Sequence, residues 1–336
     1  MGNAVLRAAR RAASASLLFS PMTDSNAARP PRLPRRDVHG VLLLDKPLGL
    51  SSNDALVRAK RLLRATKAGH TGTLDPLATG LLPLCFGEAT KFSQDLLEAD
   101  KTYDAVVRLG ARSSTGDAEG ELLDIREVTC DRAAVEQALA RFAGEIEQVP
   151  PMHSALKKDG RPLYEYARAG QTVERAARRV TIHAIELIDC ALPESPAFTM
   201  RVTCSKGTYI RTLAEDIGEA LGCGAHLTGL RRIAVGDLTL DGAVTLGQIE
   251  QQDDAARPGM LAPVDALLQK CPPVTLDEAA AGRFLQGQRI AHRDLPGGTE
   301  VAEGVLARVY AGEPVRLLGV ARMREGALRP ERLVKL

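Results

Sequence analysis

The stretch Gly69–Gly80, GHTGTLDPLATG, holds three glycines, one proline, one histidine and a single carboxylate, Asp75. Asp75 precedes Pro76, and an Asp-Pro pair commonly begins a turn, so Asp75 taken alone is better explained as a turn residue. The glycines, however, let the backbone bend tightly and approach a ligand. His70 lies five residues before Asp75, close enough for both side chains to face one cleft. Two interpretations therefore remain open, a structural turn or a loop that holds a carboxylate for chemistry.

The segment before this loop predicts a strand and then a basic helix. The apolar run Val41–Leu44 indicates a buried strand that ends in a turn. The residues Ser51–Asn53 offer an N-cap, and a helix is expected to continue to about Thr66. Five basic residues lie between Arg58 and Lys67 with no acidic residue among them. Because a solvated helix face normally mixes charges, this run favours an anionic partner.

Two segments after the loop predict a sheet and a second helix. In KTYDAVVRLG, residues 101–110, Tyr103 and every second residue after it share one apolar face. The run FTMRVTCS, residues 198–205, predicts a further strand that leads into a helix. Thr208 is the expected N-cap of that helix and Gly222 its C-terminal stop, which places Arg211 in the first turn.

Composition excludes several classes of function. The chain has 336 residues, 45% of them hydrophobic and only 3% aromatic, which suits a soluble protein with a mainly aliphatic core. Its six cysteines never lie closer than 14 positions apart, so neither a zinc site nor a disulfide framework is indicated. No second carboxylate lies near Asp75 in sequence, which gives no support to a two-carboxylate glycosidase. What remains is a lone carboxylate acting as nucleophile or base beside basic surface.

Three regions depart from the rest in composition. Between His153 and Val180, seven Lys or Arg residues face three acidic ones, which predicts a basic insertion of loop and helix, with a solvated loop as the alternative. After Cys271–Pro273, short strand-like runs predict a small β-rich module. Residues 1–37 are rich in Arg and Ser, so a transit peptide and a start of translation at Met22 both remain open, the second being preferred.

Five motifs in a fixed order resemble those of bacterial tRNA pseudouridine-55 synthases, the TruB family. They are HGVLLLDKPLGLSS (39–52), KAGHTGTLDPLATGLLPLCFGEATK (67–91), KTYDAVVRLGARSSTGDAEGE (101–121), QVPPMHSALKKDGRPLYEYARAG (148–170) and CSKGTYIRTLAEDIGEALGCGAHLTGLRRIAVG (204–236). The resemblance implies an α+β pseudouridine synthase fold, with a mixed, largely antiparallel sheet flanked by helices. It also implies a catalytic domain (38–270) with a thumb insertion (about 148–180) and a PUA-like RNA-binding domain (274–336). Residues 1–37 have no counterpart in the resemblance and are expected to be a disordered or non-native tail.

The resemblance further implies isomerisation of uridine 55 in the T-loop of elongator tRNAs to pseudouridine. The glycosidic bond breaks, the uracil turns in the pocket, and C5 bonds to the ribose. The implied enzyme is a cytoplasmic monomer that binds the T-arm of tRNA, without cofactor, metal, membrane, guide RNA or obligate protein partner. Two alternatives stay open: a tRNA-folding chaperone with secondary catalysis, and a pseudouridine synthase for another RNA site.

The resemblance assigns expected roles to individual residues. Asp75 would act at the ribose, as nucleophile at C1′ or as base at the neighbouring position, with Arg211 as its cationic partner. Tyr103 would stack on the flipped uracil, Leu230 would line the pocket, and His70 would enter the T-loop. The remaining expected substrate contacts are Lys46 beneath the active-site loop, Tyr209, the thumb residues Lys157, Lys158 and Arg161, and the surface residues Arg231 and Arg232.

Overall fold

The computed structural model describes residues 33–295 and 300–335, so most of the expected N-terminal tail lies outside the described residues. The strands within them are β1 Gly40–Lys46, β2 Ala68–His70, β3 Ala78–Phe86, β4 Lys101–Leu109, β5 Arg112–Ser113, β6 Leu122–Leu123, β7 Gly144–Gln148, β8 Lys157–Lys158, β9 Arg161–Pro162, β10 Arg178–Cys190, β11 Ala197–Cys204, β12 Ala225–Val235, β13 Leu238–Thr239, β14 Pro273–Leu276, β15 Ile290–Ala291, β16 Leu306–Ala311, β17 Arg316–Arg324 and β18 Ala327–Leu333. The α-helices are α1 Ser52–Leu62, α2 Ser93–Glu98, α3 Arg132–Arg141, α4 Leu163–Arg168, α5 Ile210–Ala220, α6 Leu246–Gln251 and α7 Glu278–Leu285. None of these helices is both long and apolar enough to cross a membrane.

The larger sheet runs in the order β1-β3-β12-β4-β11-β10-β7, with β2 added to β3 and β13 to β12. Its strands pair antiparallel except for β3 and β12, which run parallel. In that parallel register Leu230 lies opposite Ala78, the first residue of β3. The topology thus brings the GLRRIAV segment (229–235) beside the loop that contains Asp75, although the two are about 150 positions apart in the chain.

The core of this sheet follows the alternation predicted for β4. Lys101, Tyr103, Ala105, Val107 and Leu109 are buried, and the residues between them are more exposed. Helix α5 packs on the core with an aliphatic face, because its buried residues recur at helical spacing. A side chain at position 103 therefore points toward the interior of the sheet, as predicted.

The first helix is shorter than predicted and ends at Leu62 rather than near Thr66. Arg64 has a φ of +51°, a left-handed conformation that a continuing helix does not allow. Two arginines donate to the carbonyls at the end of the helix, Arg257 to Leu62 at 3.0 Å and Arg36 to Leu63 at 3.0 Å. Arg36 belongs to the segment expected to be a tail, yet it packs against the folded chain.

The basic run that begins in α1 is partly neutralised within the fold. Arg58 pairs with Glu250 at 3.4 Å, and Arg64 pairs with Asp254 at 2.8 Å. Both acidic residues come from α6 and the segment after it, which the sequence pattern of the run does not reveal. The run therefore supports an anionic partner less than its sequence indicates.

The start of α5 also differs from the prediction. Tyr209 is the N-cap residue, and it makes no side-chain capping bond, whereas the Thr208 hydroxyl donates to the Ser205 carbonyl at 2.9 Å. The predicted end holds, because Gly222 follows the helix with a φ of +82°. Arg211 lies in the first turn, as predicted.

The C-terminal residues form a second sheet in the order β14-β16-β17-β18-β15. An apolar cluster joins this sheet to the larger one, and its buried members are Val41, Cys85, Ala89, Phe92, Val264, Leu268, Leu317, Val320 and Val334. The Glu88 carboxylate also accepts the Lys335 backbone N–H at 2.8 Å. Both sheets therefore belong to one compact unit, which extends from Arg35 to the C-terminus.

Candidate active site

The loop around Asp75 is held in place from both sides. The buried Ser52 hydroxyl, at the start of α1, accepts the Leu74 N–H at 2.7 Å and lies 3.1 Å from the Leu74 carbonyl. The Asp75 carbonyl accepts the Ala78 N–H at 3.0 Å, which closes a tight turn. Gly80 has a φ of +94°, and a Cβ there would lie 2.3 Å from the Arg232 carbonyl oxygen. The turn interpretation and the chemical one are thus compatible, because the turn fixes the carboxylate.

Asp75 forms an ion pair with Arg211, with 2.8 Å between Oδ2 and Nη2. The Asp75 side chain keeps 41% of its surface exposed, and the Arg211 side chain keeps only 7%. Arg211 also donates to the Thr115 carbonyl at 2.8 Å and to the His153 carbonyl at 2.7 Å. The Arg211 guanidinium is therefore buried and held by backbone carbonyls, whereas the Asp75 carboxylate is accessible to a ligand.

A second carboxylate, Asp117, lies on the other side of Arg211, and the sequence interpretation missed it. Its Oδ2 lies 3.6 Å from Arg211 Nη1, and its side chain is 3% exposed. Its Oδ1 accepts the Thr115 hydroxyl at 2.6 Å and the Glu119 N–H at 3.1 Å. The motif SSTGDAEGE (113–121) contains Asp117, but nothing in its spacing relates that residue to Asp75.

Burial and the neighbouring charges shift the pKa of Asp75 in opposite directions. Burial raises the pKa of Asp75, the Arg211 guanidinium lowers it, and the charge of Asp117 raises it again. Lys46 is fully buried at the end of β1, where its ammonium donates to the carbonyls of Pro47 at 2.9 Å and Leu50 at 2.6 Å. Burial lowers the pKa of Lys46 to about 8, against the opposing effect of Asp75. Lys46 is thus a buried cation that feels the charge of the Asp75 carboxylate and donates hydrogen bonds to backbone carbonyls.

The two consecutive arginines of β12 do not form the basic RNA surface that was expected. Arg232 is 1% exposed, and it donates to the Leu81 carbonyl at 2.8 Å and the Gly72 carbonyl at 3.3 Å. The expected surface role of Arg232 is therefore wrong, because the β12 register turns its side chain into the sheet opposite Tyr103. Arg231 is part-exposed but paired bidentately with Asp45, at 3.0 and 2.7 Å.

Three other predicted residues lie on elements that border the site. His70 is on β2, its Nδ1 is buried without a hydrogen-bond partner among the described residues, and burial lowers its pKa. Leu230 is partly buried beside Ala78. Tyr209 immediately precedes α5, and the Arg178 guanidinium lies over its ring, 4.9 Å from the ring centroid.

The predicted thumb consists of a short hairpin, β8 and β9, followed by α4. Lys157 is exposed on β8, whereas Lys158 donates to the Glu174 carbonyl at 3.0 Å. Arg161 forms an ion pair with Glu165 at 3.0 Å. Among the described residues, no group of three or more His, Cys, Asp or Glu side chains could hold a metal ion.

Three family models match the chain. They are the N-terminal domain of TruB family pseudouridylate synthase over residues 60–210, the tRNA pseudouridylate synthase B C-terminal domain over 211–269, and the pseudouridine synthase II TruB C-terminal domain over 272–334. The chain belongs to the TruB family. The predicted membership is confirmed, and with it the enzyme class, a pseudouridine synthase.

Relatives within the TruB family match nearly the whole chain. A tRNA pseudouridine synthase B of Cupriavidus taiwanensis is 90% identical over 315 residues, which cover 94% of this chain and all of the relative. A tRNA pseudouridine synthase B of Burkholderia pseudomallei is 68% identical over 304 residues, covering 90% of this chain and 96% of the relative.

Solved structures support the fold of this TruB family member. A chain of a Cbf5-Nop10-Gar1 complex is 25% identical with a TM-score of 0.62, covering 88% of this chain and 84% of that one. A chain of an H/ACA RNP bound to a substrate RNA containing 2′-deoxyuridine is 24% identical with a TM-score of 0.65, covers 93% of both chains, and supports the fold alone. The predicted α+β pseudouridine synthase fold with a β-rich C-terminal part is confirmed.

Proposed function

We propose that this chain isomerises uridine 55 in the T-loop of elongator tRNAs to pseudouridine. The observation that carries the proposal is the Asp75–Arg211 ion pair, which presents a half-open carboxylate on a fixed loop in a TruB family member. A relative that is 90% identical over 94% of this chain is named tRNA pseudouridine synthase B, which supports tRNA as the substrate.

The reaction needs no net addition or removal of atoms. The C1′–N1 bond of uridine breaks, a C1′–C5 bond forms, C5 loses a proton and N1 gains one. Asp75 acts on the ribose as nucleophile at C1′ or as base at the neighbouring position, and either role needs its ionised form. Arg211 favours that form, because its charge opposes the rise in pKa that burial causes.

The remaining parts of the molecule bind and open the RNA. A base inside folded RNA must be extruded before it can react, which costs a few kcal/mol. Tyr103 and Leu230 receive the extruded uracil, and His70 occupies the space it leaves. The thumb, about 148–180, closes on the T-arm through phosphate contacts, among them that of the exposed Lys157.

The proposal also covers the domain boundaries of the chain, its location in the cell and its oligomeric state. Residues 38–270 form the catalytic domain, and residues 274–336 form a PUA-like RNA-binding domain. The protein acts in the cytoplasm as a monomer, without guide RNA or an obligate protein partner.

Tritium release tests the proposal directly. Unmodified tRNA carrying tritium at C5 of uridine 55 is incubated with wild type, with Asp75→Asn and with Asp241→Asn, an exposed aspartate that accepts a bond from Thr239. Release by wild type and Asp241→Asn, without release by Asp75→Asn, is expected. Wild type that binds tRNA without releasing tritium would indicate a binding protein. Release only from a second tRNA, labelled at a different uridine, would show that the enzyme modifies that other uridine.

A further inference from the structure

Arg232 is the buried arginine of the site that no carboxylate neutralises. Its residue surface is 1% exposed, and in residues 33–295 and 300–335 no Asp or Glu oxygen lies within 4.0 Å of its nitrogens. The contrast with its neighbours is clear, because Arg211 lies between Asp75 and Asp117, and Arg231 is paired with Asp45. Burying an unpaired charge is costly, typically several kcal/mol per ion. Such a residue calls for a compensating function.

Backbone carbonyls on both sides of Asp75 fix the Arg232 guanidinium. Nε donates to the Leu81 carbonyl at 2.8 Å, and Nη2 donates to the Gly72 carbonyl at 3.3 Å. These two carbonyls bracket the segment that contains Asp75, so Arg232 and the catalytic loop share one rigid frame. The guanidinium therefore does not need to move when charge develops nearby, which is the condition for strong electrostatic stabilisation.

Arg232 also lies directly opposite Tyr103 in the antiparallel pairing of β12 and β4. Directly opposed residues of an antiparallel pair place their side chains on the same face of the sheet. Burial raises the pKa of Tyr103, and the nearby Arg232 charge counteracts that rise. The same charge lowers the pKa values of Lys46, His70 and Lys101, in each case in addition to burial. The field of Arg232 thus extends across the face on which the uracil is proposed to stack.

We propose that Arg232 stabilises the negative charge that the uracil acquires when its bond to the ribose breaks. In that step the C1′–N1 electron pair stays with the base, and the charge spreads over N1 and the two carbonyl oxygens. The anion persists until C5 bonds to C1′, after which C5 loses its proton and N1 gains one. Arg211 serves this purpose poorly, because two carboxylates already share its charge. The inference rests on the proposed function.

Two substitutions separate charge from hydrogen bonding. Arg232→Gln can still donate to a backbone carbonyl but carries no charge, and Arg232→Lys keeps a charge. The expected result is a fall of roughly 10²–10³-fold in the single-turnover rate of Arg232→Gln, with unchanged affinity for T-arm RNA. Arg232→Lys is expected to retain much more of the rate. Equal rates for the two variants would show that Arg232 only holds the loop, and would overturn the proposal.

The pH profile of Arg232→Lys gives a second and independent readout. Arginine stays charged at all accessible pH values, whereas a buried lysine loses its proton more easily than a free one. The rate of Arg232→Lys is therefore expected to show a fall on the alkaline side in addition to any that wild type shows. The groups facing position 232 that also titrate, Lys46, His70, Lys101 and Tyr103, are present in both proteins. A profile of the same shape as wild type would overturn the proposal, even if Arg232→Gln does not fold.

Arg201→Gln is the matched control. Arg201 lies on β11, pairs with Asp104 at 2.7 and 2.8 Å, and sits on the face of the sheet away from Tyr103. Its rate is expected to equal that of wild type, and melting temperatures of all variants set an assay temperature at which each is folded. Failure of wild type to release tritium would refute the proposed function itself. Release by wild type and by Arg232→Gln at the same rate would refute only the inference about Arg232.

Discussion

Replacing Gln148 by methionine tests how the position of Arg211 is fixed. Gln148 is the last residue of β7, is 1% exposed, and uses its amide to hold both backbone groups of Tyr209. Its Oε1 accepts the Tyr209 N–H at 3.0 Å, and its Nε2 donates to the Tyr209 carbonyl at 3.3 Å. Tyr209 is the N-cap residue of α5 and makes no side-chain capping bond, and Arg211 follows two residues later. Methionine preserves the length of the side chain but makes neither bond.

The structure gives the size of the expected effect. The Tyr209 carbonyl still accepts the Leu213 N–H at 3.0 Å, so the substitution leaves only the Tyr209 N–H without a partner. An unpaired buried donor costs about 1–3 kcal/mol of unfolding free energy. Under the proposed function Arg211 acts from its position 2.8 Å from Asp75, and a displacement of about 1 Å in an active site lowers a rate by about a hundredfold. Gln148 is buried and cannot itself contact RNA, but it holds Tyr209, an expected substrate contact, so RNA affinity is measured alongside the rate.

A displacement of Arg211 also changes the pH dependence of the rate in a predictable direction. Burial raises the pKa of Asp75 and Arg211 lowers it, so a loosened Arg211 lets the pKa rise further. Because the reaction needs ionised Asp75, its rate then begins to fall at a higher pH when the solution is made more acidic. Gln148→Met should therefore show both a lower single-turnover rate and an acid limb shifted to higher pH. A purely structural role of Gln148 would lower the melting temperature without moving that limb.

The assay is tritium release from C5-labelled T-arm RNA at saturating enzyme, over a series of pH values. Glu147→Gln is the control, since Glu147 is exposed on the same strand and forms an ion pair with Arg179 at 3.9 Å. RNA affinity and melting temperature are measured for each protein. A folded Gln148→Met variant with the rate and the acid limb of wild type would refute the role of Gln148 in positioning Arg211.

Three further predictions concern stability and RNA binding. Burial lowers the pKa of Lys46 from 10.5 to about 8, so between these pH values the unfolded chain binds more protons than the folded one, and the unfolding free energy of wild type is expected to rise by about 3 kcal/mol. Urea unfolding of Lys46→Met at a series of pH values should lack this rise, and the same pH dependence in both proteins would contradict the prediction. Reversing Lys157 and Lys158 to glutamate should weaken RNA binding and reduce its salt slope by roughly 1 for each lost phosphate contact, whereas an unchanged slope measured by titration would exclude an electrostatic role for the thumb. Tyr310→Phe removes a 2.6 Å hydrogen bond to Asp265, so thermal unfolding should reveal a loss of about 1–2 kcal/mol, and equal stability would show that this bond contributes nothing.

Local patterns were sufficient to predict the placement of two central residues. The alternation in residues 101–110 put Tyr103 on the inner face of β4, and the structure agrees because period-2 burial depends only on one buried sheet face. The strand-turn-helix pattern put Arg211 in the first turn of α5, although the N-cap is Tyr209 and not Thr208. The Asp75–Arg211 pairing itself came from the family resemblance, since 136 positions separate the two residues and no local pattern links them.

The residues that the sequence did not reveal act through long-range contacts. Asp117 contributes because a loop after β5 folds back onto α5, and Gln148 because β7 ends beside the start of α5. Arg232 was expected, with Arg231, to add to the RNA-binding surface. The structure instead pairs β12 with β4, so that Arg231 and Arg232 point to opposite faces and only Arg232 enters the sheet.

The charges of the site explain why these long-range contacts matter. A carboxylate that must act in its ionised form needs a cation, and Arg211 fills that role only while Asp117, Thr115 and His153 hold it in place. The His153 carbonyl belongs to the base of the thumb, and the Gln148 amide lies at the same base. The segment proposed to close on RNA is therefore hydrogen-bonded to the arginine that pairs with Asp75, and we expect movement of that segment to change the alignment of the ion pair. Arg232 donates instead to carbonyls on either side of Asp75, and under the proposal above its charge serves the base.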